Sequence, residues 1–237
     1  IEKIIKSLLM KFSGGFIIRG FEPYSKNIYN GKVTYQLQLE KSSDDQFSFF
    51  NKKLRSQIRK ASKNGVIVLP GSVEIFYKIY SKNMHYKHGS PQLSKIFFNN
   101  LLQLYLSGET KIFVAKFNEK IIGSCLMVGF HDFIEVCWAA TSNEYNHLSP
   151  NMLLYWKMIS YSVDHEYKVF SFGRTSRDSG SQRFKKQWGA DEVPLIWSSD
   201  KAINFSNSKL KPLTKIWRLA PSFLTNALSP LITKYIY

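Results

Sequence analysis

The chain has 237 residues, 33 Lys and Arg against 17 Asp and Glu, a formal net charge of +16, and 44% hydrophobic and 15% aromatic residues. This is the composition of a globular protein with a sizeable core; it excludes a disordered chain, and no apolar run is long enough for a spanning helix. The charge selects polyanionic partners such as RNA, acidic head groups or phosphorylated substrates, and the 2 cysteines and 5 histidines have no zinc-ligand spacing.

The segment "VTYQLQL", Val33 to Leu39, alternates apolar and polar residues as a half-buried strand does. In "SSDDQFSFFNKKLRSQIRKASKNG", Phe47, Phe50, Leu54, Ile58 and Ala61 recur every three or four residues. This predicts one helix, with Ser and Asp at its front and Asn64-Gly65 as its stop. Its other faces carry Lys52, Lys53, Arg55, Arg59, Lys60 and Lys63, which read either as a solvated face or as a surface for phosphates. "VIVLP" is a short strand, and Gly71-Ser72 opens a helix with Val73, Phe76, Tyr77 and Tyr80 on one side. After "GSPQ", a second helix has Leu93, Phe97, Leu101, Leu104 and Tyr105 as its buried stripe, and Gly108 ends it.

Three strands follow, ending at Phe117, Phe130 and Thr141, joined by turns at Asn118 to Lys120 and His131-Asp132 into an antiparallel meander. A two-residue hairpin at His131-Asp132 sets Cys125 opposite Trp138 and Cys137 opposite Leu126, so the sulfurs face opposite sides of the sheet and stay reduced. Pro150 starts a helix with the stripe Leu153, Trp156, Ile159 and Val163. "KVFSF" is a strand reached by a crossover, "DSGSQRFKKQW" a helix closed by Gly189, and "EVPLIW" a last strand. The tail around Trp217, Leu219, Phe223, Leu224, Leu228 and Ile232 forms two short amphipathic helices, which dock either on the protein itself or on an anionic membrane.

This order of elements matches the GNAT acyltransferase architecture. The motifs "KKLRSQIRKASKNGV", "HGSPQLSKIFFNNL", "SPNMLLYWKMI" and "FSFGRTSRDSGSQRFKKQWGA", with the tail around Trp217, resemble the Fem-type (FemAB-like) branch of that superfamily from about Thr34 onward. Within that branch the likeness is to the proteins of exopolysaccharide and protein-sorting loci. The resemblance implies an α/β (α+β) GNAT-like acyl-CoA N-acyltransferase fold with a mixed, mostly antiparallel sheet flanked by helices. Residues 1–69 then form the last part of a first GNAT-like domain plus the basic connecting helix, residues 70–200 the acyltransferase domain, and residues 201–237 a helical tail. Fem-type proteins carry two GNAT-like domains, so the resemblance implies that the front of the first is missing.

The implied activity is transfer of an aminoacyl or acyl group to an amine of a cell-envelope precursor, peptidoglycan or exopolysaccharide. The donor is aminoacyl-tRNA or acyl-CoA, with no tightly bound cofactor and no metal. "SNEYNHLSPN" lacks the glycines with which CoA-dependent relatives cradle a pyrophosphate, and Pro150 has no N–H. Acyl transfer needs aligned substrates, a proton acceptor and oxyanion stabilisation. Phe184-Lys185 match the Fem-type Phe-Lys dipeptide, which assigns Lys185 to the oxyanion. Gly173 allows close backbone approach, Arg174 orients an anionic group, and Asp178 or Glu135 accepts the proton. Arg55, Arg59 and Lys60 are expected to contact phosphates of tRNA or of a diphosphate-linked lipid. His85 and His88 read as surface or structural groups. The expected location is cytoplasmic, with peripheral contact at the inner face of the plasma membrane. A non-catalytic RNA-binding or membrane-surface module and an acetyl-CoA-dependent sugar N-acetyltransferase are the alternative readings.

Overall fold

The computed structural model describes residues 17–177, 179–199 and 211–233. They form a mixed α/β fold in which antiparallel strand pairs are flanked by helices. The chain divides into two compact units, Ile1–Leu37 with Ser171–Ser206 and Gln38–Phe170 with Asn207–Tyr237.

Strands β1 (Ile17–Gly20) and β2 (Asn27–Gln38) come first, and β2 extends well ahead of the expected Val33. The expected single helix is two, α1 (Ser43–Phe49) and α2 (Lys52–Lys63). The break comes from Asn51, whose extended backbone and side chain, accepting from the Leu54 N–H, start a new helix. Phe50, Leu54, Ile58 and Ala61 are buried as the spacing requires.

After β3 (Ile67–Pro70), Ser72 caps α3 (Val73–Asn83) by accepting from the Ile75 N–H, and a π turn (Met84–His88) continues it to Gly89. In α4 (Lys95–Leu104), capped by Ser94, the buried stripe differs from expectation: Phe98 is fully buried, whereas Phe97 and Leu104 are 40% and 72% exposed. Phe98 is drawn inward by an aromatic cluster, with ring centroids 5.0 Å from Phe76 and 5.1 Å from both Tyr80 and Trp138. The helix also stops at Tyr105, ahead of Gly108.

Strands β4 (Glu109–Phe117), β5 (Lys120–Phe130) and β6 (Phe133–Thr141) form the expected meander, with Asn118, Glu119 and His131 at positive φ in its turns. A bulge beside Leu126 corrects the expected cysteine register: Leu126 pairs with Trp138 and Met127 with Val136, so Cys125 faces Ala139 and Cys137 lies in the bulge. Both thiols are free. Helix α5 (Pro150–Asp164) buries Met152, Leu154, Tyr155, Met158, Ile159 and Val163, a wider face than the expected stripe; Leu153 and Trp156 are half-buried. Trp156 instead receives Phe47 and Phe50, at 5.0 and 5.9 Å between centroids.

Strand β7 (Val169–Ser171) and the short β8 (Thr175–Ser176) precede α6 (Gly180–Lys186), β9 (Asp191–Ser199) and the C-terminal helices α7 (Lys211–Leu219) and α8 (Ser222–Thr233). In the first unit, β9 pairs antiparallel with both β1 and β2, and β8 pairs with β2. The second unit has the order β7-β6-β5-β4-β3. One face of its sheet buries Ile112, Val114 and Leu126 under Val73, Phe76, Tyr80 and Phe98, while the alternate residue Phe113 lies 5.4 Å from Tyr161 of α5.

Candidate functional site

Gly173, Arg174, Phe184 and Lys185 gather at the end of β7. The N–H of Phe172 donates to Tyr35 O at 2.9 Å, and the Thr34 and Ser171 hydroxyls meet at 3.0 Å, so the strand end is tied to β2. Gly173 then turns the chain at φ +69, a conformation that L side chains rarely adopt. Helix α6 returns over this turn because Ser179 caps it, accepting from the Gln182 N–H at 3.3 Å. Its last turn delivers Lys185, which is 6% exposed and donates to Gly173 O at 2.5 Å and to Arg174 O at 3.2 Å. Phe184 packs on Trp188, which is fully buried, with centroids 6.1 Å apart. An ammonium is thus brought out of water against two carbonyl dipoles at a turn without a Cβ, an arrangement suited to charge that develops in a low-dielectric site.

The sequence reading named Arg174 but missed its neighbours around this turn. The Arg174 guanidinium lies 5.2 Å from the Trp197 ring centroid, and that of Arg19 lies 4.4 Å from it. Lys32 donates to the Ser176 hydroxyl at 2.6 Å; burial first, then the charge of Arg174, holds its pKa below the ordinary lysine value. On the other flank, Tyr35 donates to Glu192 at 2.5 Å, and Gln182 donates to Tyr35 and Glu192 at 2.8 and 3.1 Å. The Tyr35 hydrogen bond, with help from Gln182 and Arg177, holds the Glu192 carboxyl below its ordinary value, although burial opposes this. Burial, then Glu192, pushes the Tyr35 hydroxyl up. Lys32 and Glu192 belong to strands, and no motif marks them; period-2 alternation places Tyr35 inward but does not supply its partner.

The remaining predicted residues that the structure describes belong to the second unit. On α2, Arg59 and Lys60 are exposed, and the Arg59 guanidinium stands 5.0 Å from the Phe47 ring; Arg55 is half-buried and donates to Ser48 O at 3.2 Å. Glu135 sits on β6, half-buried opposite Val128. Asp178 lies outside the described residues. His85 is a buried structural group, its Nε2 2.9 Å from Trp217 O. A cavity of about 780 Å³ occurs in the second unit, lined by Lys78, Lys82, Asn83, Thr141, Glu144 and Tyr145 among others.

The entry to α5, where an acyl-CoA pyrophosphate would rest, is poor in donors. Ser149 takes a left-handed conformation at φ 58 and Pro150 lacks an N–H. The N–H groups of Tyr145, Ser149 and Met152 are spent on Ser142, Asn146 and Ser149 carbonyls. The residues present therefore fit a pyrophosphate badly. Among the described residues no group of His, Cys, Asp and Glu can hold a metal ion.

Residues 48–186 match the family described as Acetyltransferase (GNAT) domain. The chain belongs to this family. Its GNAT region carries Gly173, Arg174, Phe184 and Lys185 as well as α2 and Glu135, whereas Lys32 and Glu192 lie outside the matched residues. The Fem-type likeness is borne out: 132 residues, 50% of the chain, are 30% identical to aminoacyltransferase FemA of Staphylococcus epidermidis, over 30% of that protein's length. FemX has the same fold, with a TM-score of 0.61 and 17% identity over 90% of this chain and 70% of that one. L-PGS from Bacillus licheniformis follows at 0.56 and 11%, over 80% and 66%.

Proposed function

We propose that the chain transfers an aminoacyl group from the ester of an aminoacyl-tRNA to an amine of a cell-envelope precursor, of the peptidoglycan or exopolysaccharide class. The observation that carries the reading is the Phe184-Lys185 pair, with its ammonium held out of water at the Gly173-Arg174 turn. In the reaction the amine nitrogen attacks the acyl carbonyl, a C–N bond forms, and negative charge collects on the carbonyl oxygen. The C–O bond to the tRNA ribose then breaks; the amine gives up a proton, to Asp178 or Glu135 in this reading, and the ribose hydroxyl recovers one. Lys185 stabilises the oxyanion, and Arg174 orients an anionic group of a substrate. Arg55, Arg59 and Lys60 bind RNA phosphates or the diphosphate of a lipid-linked precursor, in a cytoplasmic protein. The donor-poor entry to α5 supports an ester donor over a CoA thioester.

The test is product analysis by mass spectrometry with the purified chain, charged tRNA or acetyl-CoA, and amine-bearing envelope precursors. Aminoacylated product from charged tRNA is expected, and Lys185→Ala should lower its rate about 100-fold or more. Transfer from acetyl-CoA alone would favour the sugar N-acetyltransferase, and tRNA binding without any transfer would leave a binding module. Lys185→Ala that folds and turns over like the parent would remove Lys185 from the mechanism.

A further inference from the structure

Helix α8 is amphipathic in the inverse sense to a docked helix. In α8 the buried residues are Thr225, Ser229 and Thr233, spaced by four, while Phe223, Leu224, Leu228 and Leu231 are 70%, 43%, 45% and 58% exposed. On α7, Ile216 and Leu219 are 65% and 86% exposed. Within α8, positions 223/224, 228 and 231 keep a helical period, so its outward side is an apolar stripe, to which α7 adds two exposed apolar residues. Scattered exposed leucines need no explanation, but a periodic stripe does.

Hydrogen bonds fix this orientation. Gln92 donates to Asn226 at 2.5 Å and accepts from the Ser229 hydroxyl at 2.8 Å, and Arg218 donates to Lys87 O at 2.9 Å. His85 is held against Trp217 O, the polar side of α8 faces the protein, and turning its leucines inward would strand these groups. The charge of this segment has one sign. From residue 201 to 237 the chain has Lys201, Lys209, Lys211, Lys215, Arg218 and Lys234 and no Asp or Glu. No helix of the described residues is long and apolar enough to cross a membrane.

We propose that α7 and α8 lie in the interface of an anionic lipid bilayer, the exposed apolar residues entering the acyl boundary and the lysines of this segment meeting the head groups. A second protein copy would match the apolar stripe but repel the cations of this segment, whereas an anionic surface satisfies both. This surface is independent of the acyl-transfer reading: it would place the protein where lipid-linked acceptors reside, but it stands without catalysis.

The experiment is co-sedimentation of the full chain with vesicles of phosphatidylcholine alone or with about one third phosphatidylglycerol, at low and high salt. Binding to the anionic vesicles is expected, more than tenfold weaker to the neutral ones and weakened by salt. Leu219→Asn/Phe223→Asn/Leu228→Asn should abolish it while leaving the circular dichroism unchanged, since all three side chains are exposed; Lys211→Gln/Lys215→Gln should weaken it about tenfold. Lys185→Ala should bind as the parent does, which separates this surface from the catalytic proposal. Parent protein that stays in the supernatant with both vesicles, or that binds both equally, overturns the proposal whether or not the variants fold. So does a dimer that the triple variant disperses without any lipid binding.

Discussion

Replacing Lys185 by Met keeps most of the side-chain volume and removes the ammonium. Two carbonyls lose their donor, Gly173 O in a buried position at 2.5 Å and Arg174 O in a half-buried one at 3.2 Å. A charge-assisted hydrogen bond contributes about 1.5–3 kcal/mol, and a buried acceptor left unsatisfied costs about 1–3 kcal/mol. Relief of the ammonium's own desolvation offsets part of this. The geometry places most of the loss at Gly173, so the expected net cost is about 2 kcal/mol. For a chain of this size that lowers the melting temperature by about 4–8 °C, read by near-ultraviolet circular dichroism. Lys185→Arg retains a charge that can still reach a carbonyl, and should melt between the two. A Lys185→Met protein melting within about 1 °C of the parent would refute the argument that this ammonium holds the turn. A large loss of rate could then be assigned to chemistry alone.

Other expectations follow from the same structure. Burial pushes the Cys125 thiol up to about 12, and burial with the Glu135 charge does the same for Cys137; neither should react with Ellman's reagent at pH 8 until the protein unfolds, and a fast native-state thiol would contradict this. The carboxyl of Glu192 is held low, so its stabilisation is complete above the ordinary carboxylate value and is lost as pH falls through the lowered one. Glu192→Gln should flatten the acid side of a plot of stability against pH, and an unchanged acid limb would argue against the Tyr35 bond. For Tyr35, held high, stabilisation should fade as pH rises beyond the ordinary tyrosine range. Removing the cap that separates α1 from α2, in Asn51→Ala, should cost about 1 kcal/mol in urea unfolding; no change would mean that the Leu54 N–H finds another partner.

What the sequence reveals of this fold is what depends on near neighbours. The helix starts at Ser72 and Ser179 each rest on a hydroxyl that accepts from an N–H three residues on, and Gly189 closes α6 at φ 77. Period and caps supply the meander, most of the helices and the crossover into β7. The choice of Phe98 over Phe97 was not legible, because Phe76, Tyr80 and Trp138 decide it, and a one-residue bulge at Leu126 moved the cysteines out of their expected register. The candidate site divides in the same way. Lys185 is marked by a local dipeptide, but its bonds to Gly173 and Arg174 span 12 and 11 residues, and the Lys32–Ser176 and Tyr35–Glu192 contacts span 144 and 157.

The C-terminal helices show why a period is not an orientation. An apolar stripe says that one side of a helix differs from the other; it does not say which side meets the protein. Here the answer lies with Gln92, a fully buried amide in the turn before α4. An amide out of water needs polar partners, and Asn226 and Ser229 supply them only when α8 presents its polar side inward. The leucines and Phe223 then have no place but outside. A buried glutamine more than a hundred residues away in sequence thus turns what reads as a core-packing helix into one with its apolar side available to a lipid surface. Gln92→Leu, which removes that demand, should loosen α8 and weaken vesicle binding without touching the stripe. If vesicle binding is unchanged while α8 stays ordered, the amide is not what sets the orientation.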